Sequence, residues 1–248
     1  MEIVAGFISA MLVAMTGVGA GILIVPFLLA ATGLPPHQAV GTALVYSSAI
    51  KLFLVPMAAV RRQVHWRTLV WMLAGGIPGV VAGSFLVRAL KGAGNLSGLQ
   101  FFLGLIIASV AIIHWRASRK GVERGSTNRP KMLGSLMGIV GVEVGFSSAG
   151  AGALGSLALM SLTTLTTAEV VGTDLAFGLG LSVIGGGLHA QAGNLDLGVA
   201  MKLITGGLAG AMVGAFLTTR VKPASLRAIV SVAVFGAGLH LCWKSLRF

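Results

Sequence analysis

Acidic residues, cysteine and tyrosine are nearly missing from this chain: six Asp and Glu together, one Cys and one Tyr in 248 residues. A single cysteine, Cys242, excludes an intrachain disulfide. No Cys/His cluster has metal-ligand spacing, and there is no His-Glu-x-x-His, Gly-x-Ser-x-Gly or phosphate-loop pattern. With no nucleophile beside a base and no metal shell, an enzyme is not expected. Only 10% of the residues are charged, which leaves no material for the polar surface of a sizeable soluble domain.

What is there instead is apolar. Hydrophobic residues make up 56% of the chain and the mean hydropathy is +0.95, the composition of a polytopic membrane protein. The net charge of +12 would suggest nucleic acid in a soluble chain. Here the cations cluster between apolar segments, where the positive-inside rule puts them, so lipid is the expected surroundings and nucleic acid is not a partner. Met1-Glu2-Ile3 lacks a basic leader region, so the expectation is a multi-pass protein of the cell inner membrane without a cleaved signal peptide.

The apolar run from Ile3 to Ala31 is interrupted by Met15-Thr16-Gly17-Val18-Gly19-Ala20-Gly21. The pieces on either side are each too short to cross about 30 Å of hydrocarbon at about 1.5 Å per residue. Two half-helices therefore meet near the bilayer midplane. Non-helical backbone at that depth is tolerated only where protein buries it or a wet cavity receives it, which makes the break a candidate site.

The same feature returns as Phe146-Ser147-Ser148-Ala149-Gly150-Ala151-Gly152. At a constant offset of 131, Gly19 and Gly21 fall on Gly150 and Gly152, Val40-Gly41-Thr42 on Val171-Gly172-Thr173, Gly75-Gly76 on Gly206-Gly207, Gly79 on Gly210 and Gly83 on Gly214. Interrupted segments at matching places in two halves of a membrane protein point to a binding site at the repeat interface. The fold expected is all-α: two homologous four-segment repeats over 1–116 and 132–248, joined by a basic cytoplasmic linker over 117–131. In the first half, spans follow at about Gln38–Val60, Thr68–Leu90 and Leu96–Trp115; in the second, a broken segment covers Met132–Leu162, with spans at about Ala168–Ala190, Leu197–Thr218 and Ala224–Trp243. If each broken segment crosses fully, the repeats are parallel. If each is re-entrant, they are inverted. Both arrangements put the same excess of Lys and Arg inside, so charge leaves the choice open; opposed half-helices at the midplane favour inversion.

Gly19-x-Gly21 followed by Pro26, then Gly33-Leu34-Pro35-x-x-x-Ala39-Val40-Gly41-Thr42, Arg62-x-Val64-x-Trp66-Arg67 and Gly76-x-Pro78-Gly79-x-x-x-Gly83, resemble the sulfite exporter TauE/SafE family, also called the toluene-sulfonate uptake permeases. The resemblance covers nearly the whole chain. Ala20 and Ala43 depart from the glycine and serine common in the family, and Leu157 stands where the second half would match Pro26. The resemblance implies a secondary transporter of a small anion, a sulfur oxyanion or organosulfonate such as sulfite, working without ATP or any other cofactor.

An anion in a bilayer needs donors and positive potential, and helix N-termini supply both. The candidate substrate-binding residues are therefore Gly17, Gly19 and Gly21 at one break and Ser147, Ser148, Gly150 and Gly152 at the other, with Thr42, Thr173 and Lys51. The competing reading of the glycines is close helix packing. Lys51 lies too deep in its span to snorkel and needs an acid, a carbonyl or an anionic ligand as partner. Glu143 and Asp174 are candidates for proton coupling, with pairing to Lys51 or capping of a freed N–H as the structural alternative. The partners expected are a small anion and the bilayer, with a homodimer compatible with the sequence. An uncoupled anion channel and a non-transporting membrane scaffold are the other functional readings.

Overall fold

The two breaks read from the sequence become helix ends. The computed structural model describes residues 1–16, 19–92, 98, 101–103, 105–109, 112–113, 116, 129–148, 152 and 154–217. Gly17, Gly150, nine residues of the 96–115 span, the linker over 117–128 and the 224–243 span lie outside the described residues. All regular structure among the described residues is helical. In chain order the helices are α1 Glu2–Thr16, α2 Gly21–Phe27 continued by a π-helical turn Leu28–Thr32, α3 Pro36–Val60, α4 Trp66–Gly92, α5 Pro130–Ser147, α6 Leu154–Leu162, α7 Thr167–Gln191 and α8 Leu197–Leu217. Four of them, α3, α4, α7 and α8, are long and apolar enough to cross a membrane. The protein is an all-helical, multi-pass membrane protein.

Local chemistry sets the ends. Pro36 at the first position of α3 gives up an N–H that would have no helical partner. At the start of α7, Thr166 and Glu169 form a reciprocal capping box: the Thr166 hydroxyl accepts from the Glu169 N–H at 3.3 Å and the Glu169 carboxylate accepts from the Thr166 N–H at 2.9 Å. The ends of α3 and α7 close alike. Arg62 and Gly193 take left-handed φ of 56° and 68°, and the N–H groups of Gln63 and Asn194 donate back to Ala58 and His189 carbonyls at 2.9 and 2.8 Å.

Contacts recur at the offset of 131. Along α4, methyl groups added at Gly75, Gly79 and Gly83 would overlap backbone carbonyls of Gly134, Gly138 and Val142 on α5; along α8, Gly206, Gly210 and Gly214 meet those of Ile3, Phe7 and Met11 on α1 in the same way. Each half thus packs its second long helix onto the other half's broken one, backbone against backbone, the close approach that small residues permit where lipid offers no hydrophobic drive. Gly76 receives Phe177 and Gly207 receives Tyr46, again at matching positions.

Direction follows from these contacts. Gly41, near the start of α3, touches Asn194 beyond the end of α7, while Gly172, near the start of α7, touches Gln63 beyond the end of α3. The two helices are antiparallel. The broken segments fold back on themselves: the Arg129 N–H, at the head of α5, donates to the Leu162 carbonyl at the end of α6 at 3.1 Å, and Phe27 of α2 lines a groove with Met1 and Val4 of α1.

Candidate functional site

α5 ends at Ser147, and Ser148 terminates it in a left-handed conformation with φ of 63°, its N–H donating to the Val144 carbonyl at 2.8 Å. The chain turns again at Gly152, φ 105°, before α6. Gly21, at the first position of α2, presses against the carbonyl and hydroxyl of Ser148, leaving no room for a β-carbon. Gly19 and Gly21 are buried, as are Ser147 and Ser148, so the two breaks meet in the interior. The Ser147 hydroxyl donates to Glu143 one turn earlier. The Ser148 hydroxyl is buried and has no hydrogen-bond partner among the described residues.

Beside the breaks lie two buried charges. Lys51 is 4% exposed and Asp174 is 2% exposed. Lys51 stands nine residues before the end of α3, about 13 Å along the helix axis. Asp174 reaches the first turn of α6: one carboxylate oxygen lies flush against Gly155, and the other accepts from the Ser156 hydroxyl at 2.8 Å, a hydroxyl that also reaches the Gly152 carbonyl at 2.7 Å. A carboxylate there faces the N-terminal end of the helix dipole, where negative charge is favoured. Asp174 also exerts its Coulomb field on Lys51. The buried cation of the first half thus lies in the Coulomb field of a buried anion of the second, which itself sits at a helix N-terminus, and burial makes such a field stronger than in water.

The remaining expected residues are placed elsewhere. The Thr42 hydroxyl accepts from the Asp196 N–H at 3.1 Å and the Thr173 hydroxyl accepts from the His65 N–H at 2.9 Å. Each tethers its helix to the loop at one membrane face, and the two threonines are not gathered at the breaks. Ser156 was not singled out from the sequence. Its only signal there is a hydroxyl four residues past Gly152 within an apolar helix.

A cavity of about 300 Å³ opens beside the ends of α3 and the start of α7. Met15 and Ala14 line it from the end of α1, Leu54, Met57, Ala58 and Arg61 from one face of α3, and Val171 and Leu175 from α7. Lys51 stands one turn below Leu54 on that face, and Asp174 is adjacent to Leu175. The cavity runs from Arg61 to Leu54, one helical turn from Lys51.

The family model described as Sulfite exporter TauE/SafE matches residues 2–241. A Bacillus subtilis (strain 168) protein named "Probable membrane transporter protein YjnA" is 30% identical over 249 residues, covering 96% of this chain and 98% of its own. A Xylella fastidiosa (strain 9a5c) protein named "Probable membrane transporter protein" is 29% identical over 240 residues, covering 92% of this chain and 89% of its own. No solved structure gives a significant match.

Proposed function

The chain belongs to the sulfite exporter TauE/SafE family, and on that premise we propose that it is a secondary transporter of a small anion, a sulfur oxyanion or organosulfonate, carried across the inner membrane by alternating access. The observation that carries this reading is Asp174, buried at the N-terminal end of α6 and exerting its Coulomb field on the buried Lys51. Lys51 and the α6 N-terminus are the attraction an anion needs after losing its water. Asp174 occupies that attraction in the absence of substrate. Protonation of Asp174 would release it, which couples a proton to the anion; Glu143, hydrogen-bonded to Ser147 at the break, is the second group placed for this role.

The architecture we propose is an inverted repeat with re-entrant first segments. The antiparallel course of α3 and α7, the fold-back of α6 to the head of α5 and the recurrence of contacts at offset 131 support it. Arg67 and Arg129 share a hollow with His65 and Thr163, so Arg61, Arg62, Arg67, Arg129 and Lys131 collect at one face and mark it as cytoplasmic. The 300 Å³ cavity opens towards that face.

The test is thermal stability of the purified protein against sulfite, sulfate, thiosulfate, sulfonates, acetate and chloride, for the parent chain and Lys51→Met. A ligand that binds only the folded form raises the melting temperature by mass action. One sulfur oxyanion or sulfonate should stabilise the parent and lose its effect in the variant. Equal behaviour of all anions in both proteins would sink the site.

A further inference from the structure

The 300 Å³ cavity has a counterpart on the opposite membrane face. Met57, Ala58, Arg61, Gln63 and Ala215 line it, and the residues 131 positions away, Leu188, His189, Ala192, Asn194 and Ser84, line a second cavity of only about 90 Å³. The positions correspond but the filling does not. Where the large cavity has Ala58 and Ala168, the small side has His189 and His37, both buried. The His189 ring Nε2–H donates to the Gly145 carbonyl at 3.0 Å, joining α7 to α5. At the corresponding pair, Ala58 has no side-chain donor, and Ala58 and Ala14 both line the large cavity. Lys91, in the last turn of α4, donates to the Asn194 side-chain oxygen at 2.7 Å and reaches the Ala192 carbonyl at 3.5 Å, joining α4 to the loop after α7. That loop is itself held, since the Asn194 N–H donates to the His189 carbonyl and its carbonyl packs on Gly41.

We propose that His189, Lys91 and Asn194 form the gate that closes the transport path on the face opposite Arg61, so that the structure is the inward-open state and these hydrogen bonds break when the path opens outward. The inference rests on the transport reading, and it identifies gating residues rather than ligand contacts. The small cavity is lined by α4, α7 and the loop after α7, and these bonds hold α4 to that loop and α7 to α5. Of the three gating residues, His189 has an alanine, Ala58, at the corresponding position on the large cavity, whereas Asn194 corresponds to Gln63 and Lys91 to Lys222.

The experiment uses maleimide modification of single cysteines in a Cys242→Ser background, with the protein in nanodiscs so that both faces meet the reagent. Ala58→Cys reports the large cavity and Ser84→Cys the small one. Ser84→Cys should react slowly beside Ala58→Cys. Adding His189→Ala or Asn194→Ala should raise its rate about tenfold, the population change expected when one buried hydrogen bond is lost, and should slow Ala58→Cys. If His189→Ala is not recovered as monodisperse protein, Asn194→Ala and Lys91→Ala, at the membrane face, carry the test. The gate is overturned if Ser84→Cys reacts as fast as Ala58→Cys in the parent, or if gate variants leave its rate unchanged. Labelling needs no substrate: a failed gate leaves the anion-dependent stability of the parent chain standing, and absent anion effects with intact gating sink the substrate reading alone.

Discussion

The two halves of the chain share a scaffold and differ in chemistry. Positions that hold helices together are repeated: Gly41 and Gly172, Thr42 and Thr173, Gly75 and Gly206, Gly79 and Gly210, Gly83 and Gly214. The buried charges and the Ser148 and Ser156 hydroxyls at the second break are not. Lys51 corresponds to Ser182, Asp174 to Ala43, Ser156 to Val25, Ser148 to Gly17 and His189 to Ala58. A site on an internal two-fold axis needs one copy of each charge, since a symmetric pair of buried lysines would repel and a symmetric pair of carboxylates would exclude an anion. Residues that break the repeat are therefore the ones to suspect of function, and residues that keep it are the ones to suspect of packing.

The strongest way to break this division is to attack a repeated position. Gly79→Leu places a side chain into the Gly138 carbonyl and the backbone at Gly141 and Val142, and Gly210→Leu does the same to α1 at Phe7. Helix separation in either interface should abolish recovery of monodisperse protein, a loss well beyond the roughly 1–3 kcal/mol of ordinary overpacking because backbone rather than a side chain must yield. Gly187→Ala, which meets nothing within 4 Å, should leave the elution profile and melting temperature as they were. Equal tolerance of Gly79→Leu and Gly187→Ala would remove the packing assignment.

The second prediction attacks the unrepeated pair. Lys51→Met leaves Asp174 with Ser156 and the α6 dipole, and Asp174→Asn leaves Lys51 buried without its facing charge. The double variant leaves neither charge behind. Its destabilisation should therefore fall short of the sum of the two singles by roughly 0.5–3 kcal/mol, the coupling expected of charges that interact directly. Denaturant unfolding of the four proteins measures it. Additivity within about 0.5 kcal/mol would mean that Lys51 and Asp174 act independently.

Much of the frame was legible in the sequence. The expected spans of about 38–60, 68–90, 168–190 and 197–218 differ from α3, α4, α7 and α8 by two residues or fewer at each end, because Pro36, the Thr166–Glu169 capping box and the left-handed turns at Arg62 and Gly193 add the terminal residues that hydropathy alone does not reach. The break at Gly21 was legible too, since three small residues in an apolar run have little other use. What the sequence could not supply was the partner of each buried group. Asp174 and Ser156 are eighteen residues apart, Lys91 and Asn194 over a hundred, and pairing at such separations is decided by how helices cross. The unequal cavities were equally hidden, because the alanines that line one look like any alanine in a membrane helix. The offset of 131, applied to polar residues as well as to glycines, would have aligned Asn194 with Gln63 and set His189 apart from Ala58.

The smallest effect is the sharpest test of the two-fold relation itself. Thr42→Val and Thr173→Val each remove one hydroxyl acceptor from a loop N–H, that of Asp196 in one case and of His65 in the other, with donor distances of 3.1 and 2.9 Å. Both donors lie at a membrane face, where water can replace the lost oxygen, so each substitution should cost about 1 kcal/mol or less, and the two should agree within a few tenths. If either threonine instead touches the transported anion, its substitution would also diminish the anion-dependent rise in melting temperature while its partner's would not. Equal small losses of stability with unchanged anion dependence in both place the threonines with the repeated scaffold. An inequality in the anion response moves that one threonine to the side of the chemistry, because a residue that is repeated in sequence and position but not in effect has been recruited by one half alone.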